Sequence, residues 1–130
     1  MKTVININVK ETDIDDLGHV NNSIYVSYIE KGRRDWYQKA GFVFDEKQSL
    51  GTVVLRLDIL YLQEARLGDS LKIITRPVRL GNKSFVLHQD IYNQLNEHIT
   101  EATVTSVMFD TVLRKSTQVV AEIARHFEGC

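Results

Sequence analysis

Between residues 13 and 25 the chain reads Asp-Ile-Asp-Asp-Leu-Gly-His-Val-Asn-Asn-Ser-Ile-Tyr, the densest collection of reactive side chains in the sequence. Asp13, Asp15, Asp16, His19, Asn21 and Asn22 gather where a loop feeds a predicted helix. The first N–H groups of a helix have no partner within it and stand at the positive end of its dipole, so they favour an anion or a polarised carbonyl. A carboxylate serving as nucleophile or base opposite an oxyanion site is therefore one chemistry open to this segment. A plainer reading competes with it: Asn21 or Asn22 caps the helix, the Asp residues are solvated loop charges, and His19 is a satisfied polar residue.

Other chemistries fit the segment less well. Asp13, Asp15 and Gly18 match the first, third and sixth places of a calcium loop. Leu17 and Ile24 then occupy the fifth and twelfth, where an oxygen ligand and a bidentate Glu are required. Asp15 and His19 have no His-x-x-x-His or Cys pair beside them, so no metal is expected. There is no Gly-x-Ser-x-Gly, and the single cysteine, Cys130, is the last residue and a poor catalytic thiol.

The elements that must position this segment follow from periodicity. Ile5, Ile7 and Val9 alternate with Asn6, Asn8 and Lys10, which predicts a strand. Tyr25, Tyr28, Ile29, Trp36, Tyr37 and Ala40 then fall on one side of a helix starting near Ser23 and closed by Gly41. Gly32 lies inside that stripe and predicts a close approach to another backbone. Extended runs are expected at 52–62, 71–80, 84–92 and 99–113. In the first of these Val53, Leu55, Leu57, Ile59 and Tyr61 share one parity, and Arg56 with Asp58 suggests an interface or a paired site. Pro77 predicts an edge or a bulge, and Gly81-Asn82 a type II′ hairpin turn. Ser116 or Thr117 is expected to cap a short helix carrying Val119, Val120, Ile123, Ala124 and Phe127. One long helix beside five antiparallel strands and a short C-terminal helix is an α+β domain in which the curved sheet wraps the helix.

With 130 residues, 43% of them hydrophobic and 25% charged, residues 1–130 are expected to form one domain with its own core. Sixteen Lys+Arg against 17 Asp+Glu give a net charge of −1, which argues against nucleic acid as the main partner. One cysteine excludes a disulfide-rich scaffold and suits a reducing compartment, the cytoplasm. No apolar run approaches the roughly 20 residues of a spanning helix, and the N-terminus has no apolar leader region, so no membrane association is expected.

The pattern Asp-x-Asp-x-x-Gly-His-Val-Asn-Asn-x-x-Tyr resembles the signature of the hotdog-fold acyl-CoA thioesterases of the 4-hydroxybenzoyl-CoA thioesterase type. The resemblance extends to Tyr28 and Glu30 on the helix and to the Ile-Leu-Tyr-Leu-Gln-Glu-Ala-Arg-Leu-Gly-Asp run at 59–69, and so spans nearly the whole chain. It implies a sheet wrapped around a long helix, pairing of two units edge to edge into a homodimer, further pairing into a homotetramer in some members, and active sites at the dimer interface. Carried across residue by residue, it implies that Asp15 is the catalytic carboxylate and that the backbone N–H of Asn22 polarises the thioester carbonyl. Asp13 supports at most, and His19 and Asn21 order the loop or, for His19, transfer a proton. It implies an acyl-CoA substrate and no separate cofactor, since coenzyme A is part of that substrate. Gly18, Asn21, Tyr25 and Lys83 are its candidate substrate contacts. Lys83, at the hairpin tip, is grouped with Arg76, Arg79, Arg114 and Lys115 as cations for the coenzyme phosphates; solvated surface charge is the competing reading. Tyr25, Tyr28, Trp36 and Tyr37 are either an acyl pocket or core.

Related acyl-carrier-protein thioesterases share His-Val-Asn-Asn but carry Asn where this chain has Leu17, which favours the acyl-CoA branch. Two rival readings remain on the same fold. A non-catalytic acyl-CoA sensor would gain little from Asp15, whose charge repels anionic ligands, and a hydratase or dehydratase would need an acid/base pair for which no motif is present.

Overall fold

The computed structural model describes residues 1–44 and 49–129. Alternation of Thr3, Ile5 and Ile7 with Val4, Asn6 and Asn8 gives β1 (Thr3–Asn8) one inward face. A 3-10 turn (Glu11–Asp13) and the polar loop lead into α1 (Asn22–Ala40), which Gly41 ends in the left-handed region at φ 95°. Then come β2 (Leu50–Tyr61), β3 (Ser70–Leu80), β4 (Ser84–Tyr92), β5 (His98–Asp110), the short β6 (Lys115–Thr117), and α2 (Ala121–Ala124), which runs into a 3-10 turn (Arg125–Phe127).

Every strand joins one antiparallel sheet ordered β1-β3-β4-β5-β2, so β1 and β2 are its edges. The inward residues of all five long strands pack on α1 in two apolar clusters. One surrounds Tyr25, Tyr28 and Ile29 with Leu71, Ile73, Ile91 and Ile99; the other surrounds Trp36 and Ala40 with Phe85, Leu87, Met108 and Phe127. Full burial of an aliphatic or aromatic side chain of this kind contributes about 1.5–3 kcal/mol. A polar layer separates the clusters. Gln89 donates from its amide to the Ile29 carbonyl (2.9 Å) and to Thr75 Oγ1 (2.9 Å), and accepts from Arg33 Nη1 (3.2 Å). Burial lowers the affinity of the Arg33 guanidinium for its proton.

The expected architecture holds, with local corrections. The sheet has a sixth strand, β6, which continues along β5 from Met108↔Thr117, one step past the last β4 pair, Ser84↔Val107. Lys115 to Thr117 are thus strand, and α2 begins later, behind Val120, with no side-chain cap from Ser116 or Thr117. The strand expected over 99–113 ends at Asp110 in a turn in which Arg114 adopts φ 56°. The connection at 81–83 is not type II′: the glycines at positive φ are Gly18, Gly41, Gly68 and Gly129, and the Gly81 N–H instead donates to the Ser84 carbonyl at 2.7 Å. Single parity along β2 fails because the register shifts between Val54 and Arg56, leaving Leu55 outside the ladder. The shift between Pro77 and Arg79 in β3 agrees with expectation. Gly32 does allow a close approach, but of side chains: a Cβ there would lie 2.7 Å from Ile73 Cγ2 and 2.8 Å from Gln89 Nε2. Cys130 lies outside the described residues. No helix among them is long and apolar enough to cross a membrane.

Candidate active site

The loop between β1 and α1 is built as a small hairpin. Ile14 bridges Val20, the Asp15 N–H donates to the His19 carbonyl (3.0 Å), and the Gly18 N–H donates back to the Asp15 carbonyl (3.1 Å). Gly18 turns the chain at φ 84°, where a side chain would be strained although the space around it is open. The hairpin is stitched to the segment before β3, since His19 bridges Arg66 and the Val20 N–H donates to the Ala65 carbonyl (2.9 Å).

Within this frame the Asp15 carboxylate is held and left partly open. Its Oδ1 accepts from the Leu17 N–H at 2.9 Å, while Oδ2 lies 3.9 Å from His19 Nδ1 and the side chain keeps about a third of its surface exposed. The other ring nitrogen of His19 lies 3.7 Å from Glu64 Oε2, so the imidazole stands between two carboxylates. Asp13 is turned away. Its Oδ2 accepts from the Tyr28 hydroxyl (2.7 Å) and the Lys10 N–H (3.1 Å), and its carbonyl accepts from the Asn21 N–H (3.1 Å). Burial, reinforced by this bond to Asp13, raises the Tyr28 phenol well above its usual range.

The helix start is capped on one side only. Asn21 Oδ1 accepts from both the N–H and the hydroxyl of Ser23 at 3.0 Å, which makes Asn21 the N-cap. The Ile24 N–H returns to the Asn21 carbonyl, whereas among the described residues none accepts from the N–H of Asn22, an exposed residue. The Tyr61 hydroxyl, from the end of β2, donates to the Asn22 carbonyl at 3.2 Å and fixes this first turn.

Asp15, Gly18, His19, Asn21 and Asn22 thus share one corner, and two expected substrate contacts stand elsewhere. Tyr25 is only 3% exposed, and its hydroxyl accepts from the Ala65 N–H at 2.8 Å, so it is a pillar under the loop and offers no surface to a ligand. Lys83 belongs to the opposite end of the sheet, where its carbonyl accepts from the Met108 N–H. Tyr28 and Trp36 are core. Arg56 and Asp58 form an exposed pair with each other at 2.9 Å. Glu64 and Tyr61 are the site neighbours to which sequence reasoning assigned no role; only the long-range pairing of the 61–66 segment places them. A cleft of ≈ 630 Å³ runs between α1 and the β2 edge, lined by Arg33, Tyr37, Phe44, Thr52 and Val54, and within one chain it lies along the far half of the helix from Asp15.

The pattern of the Thioesterase-like superfamily matches residues 9–127. The long-chain acyl-CoA thioesterase FadM of Escherichia coli K12 is 27% identical over 124 residues, 94% of either chain. The acyl-acyl carrier protein thioesterase ATL2 of Arabidopsis thaliana is 28% identical over 126 residues, 95% of this chain and 66% of its own length. Among solved structures, the PA2801 protein of Pseudomonas aeruginosa superposes with a TM-score of 0.87 at 27% identity, covering 94% of this chain and 95% of that one.

Proposed function

Because the chain belongs to the thioesterase-like superfamily and has the hotdog fold, we propose that it hydrolyses acyl-CoA thioesters to a free acid and coenzyme A at the corner that holds Asp15 and Asn22. The observation that carries this reading is the pairing of a fixed, partly exposed carboxylate with a helix start at which, among the described residues, none accepts from the Asn22 N–H. Asp15 attacks the thioester carbon or removes a proton from the attacking water; the carbonyl oxygen gains charge, which the Asn22 N–H and the helix dipole offset; the C–S bond breaks and the thiolate departs, leaving the free acid in the second route and, in the first, an acyl-aspartyl anhydride that water then cleaves to the free acid and the Asp15 carboxylate. A thiolate leaves readily, so one carboxylate with one oxyanion donor suffices. His19, between Asp15 and Glu64, holds the loop in place.

The substrate site on this reading is shared by two subunits. Among the described residues none pairs with the outer side of β2, and a two-fold axis beside it would pair β2 with its copy antiparallel, Tyr61 of one subunit running toward Leu50 of the other. Tyr61 marks the Asp15 end, whereas Thr52 and Val54 mark the cleft, and Thr52 is paired to Met108 beside Lys83. Dimerisation would therefore bring the cleft and Lys83 end of each subunit to the Asp15 end of its partner, restoring Lys83 as a candidate for the coenzyme phosphates. The 27% identity to an acyl-CoA thioesterase supports coenzyme A as the carrier, and the 28% identity to ATL2 supports a carrier-protein thioester as the second reading.

Free-thiol release from a panel of short, medium, long and aryl acyl-CoAs, 4-hydroxybenzoyl-CoA among them, tests this directly. Multiple turnover is expected, and Asp15→Asn should lower kcat by about 10²-fold or more. Cys130 reacts with thiol reagents too, so only signal beyond one equivalent per chain counts as turnover. Turnover of acyl-carrier protein alone would move the substrate to the second reading; undiminished turnover by the variant would remove Asp15 from the chemistry.

A further inference from the structure

We propose that His88, Asp90 and Glu101 form a binding site for a divalent transition metal of the zinc class on the outer face of the sheet, away from α1 and independent of the thioesterase reading. His88 and Asp90 are two residues apart on β4 and so share a face, and Asp90 is the register partner of Glu101 on β5. His88 Nε2 lies 3.4 Å from Asp90 Oδ1 and 3.6 Å from Glu101 Oε1, and one ligand atom from each residue falls within 4.8 Å of the others. Zinc bound tetrahedrally by N and O at about 2.0–2.1 Å requires ligand atoms separated by about 3.3 Å. Two of the three donor separations are thus already near that value, and the third needs only a turn of the exposed Glu101 side chain.

The surrounding residues are arranged as supports for ligands. His88 Nδ1 is 3.4 Å from Thr103 Oγ1, its register partner on β5, and a hydrogen bond donated there leaves the Nε2 lone pair for a metal. Asp90 Oδ1 is 2.8 Å from His98 Nε2, and the His98 ring is stacked on Tyr92 with centroids 4.7 Å apart. His98 thereby orients Asp90. The side chains of His88 and Asp90 are only 13% and 16% exposed, while Glu101 at 40% keeps the outer side open to water as a fourth ligand. Among the described residues no Lys or Arg pairs with either carboxylate, although Asp90 and Glu101 face each other across the strands, an arrangement that costs stability when both are charged. A divalent ion balances their two charges. One nitrogen with two carboxylates is too few oxygens for calcium, which takes 6–8, and the imidazole favours zinc-like ions over magnesium.

Calorimetric titration of the chelator-treated full chain with zinc chloride tests the site, alongside thermal melting. One ion per chain is expected, with a raised melting temperature. His88→Gln and Glu101→Gln should each weaken binding by roughly tenfold or more, and Thr103→Val, which keeps the strand intact and removes only the support of His88, should weaken it by about tenfold while leaving the metal-free melting temperature unchanged. Absence of binding by the wild type, or wild-type affinity in His88→Gln and Thr103→Val, would overturn the assignment, the second result because it places the ion elsewhere, at Asp15 and His19 for example.

Discussion

The bond from Tyr28 to Asp13 ties the first turns of α1 to the loop that carries Asp15, because the Asp13 backbone in turn receives the N-cap Asn21. Tyr28→Phe leaves the shape of the core intact but removes the donor from a part-buried carboxylate, a loss of about 1–3 kcal/mol. Urea unfolding should show that loss, and kcat should fall with it as the Asp15 hairpin loosens. The same phenol makes an alkaline prediction. Its affinity for a proton is higher in the folded chain than in the unfolded one, so the stabilisation is fully present below the ordinary tyrosine value of about 10 and fades as pH climbs through the raised folded value. In wild type, melting followed from pH 9 upward should show a decline above pH 10 that Tyr28→Phe reduces.

At the level of elements, Gly32 tests how closely helix and sheet approach. An added Cβ meets Ile73 and Gln89 at under 3 Å, so Gly32→Ala should cost about 1–3 kcal/mol of overpacking, offset in part by the ~1 kcal/mol that alanine gains in a helix interior. A lowered urea midpoint with unchanged m-value is the expected result. The elements that were legible in the sequence are those whose pattern is local. Period-two alternation marks β1, the aromatic stripe and Gly41 mark α1, and the extended run from Ser84 to Tyr92 coincides with β4. Ser116 or Thr117 reads as a helix cap because Ser and Thr favour caps, whereas pairing with Phe109 and Met108 claims both for the sheet. The bulge at Leu55 was hidden for a related reason, since an alternating run carries no mark of where its partner slips. The same division runs through the sites. Asp15, His19, Asn21 and Asn22 lie in one short segment and can be read together, while Glu64 joins them, and Glu101 joins His88, only through pairings between distant segments.

The whole molecule presents one long apolar edge. Val53, Leu55 and Leu60 on β2 are 45%, 69% and 57% exposed, and a twelve-residue edge strand of this composition is a template for another strand. The shared-site reading predicts a dimer by light scattering, with activity per chain lost on dilution below its dissociation constant; a fully active monomer would defeat that reading. Inside the fold, the polar layer of Arg33, Gln89 and Thr75 has a different consequence. Apolar surfaces alone tolerate sliding, and α1 could rest on the sheet in several positions with similar burial. Shifted by one turn, the helix would put the side chain of Ile29 or Tyr37 where the Arg33 guanidinium now meets Gln89 Oε1 and carry the Arg33 charge into apolar surroundings, a misfit that two satisfied clusters could not offset. The layer works as a ruler: it adds little to the strength of the correct packing, but it rejects the incorrect ones, and so sets how far the helix start carrying Asn22 projects beyond the sheet.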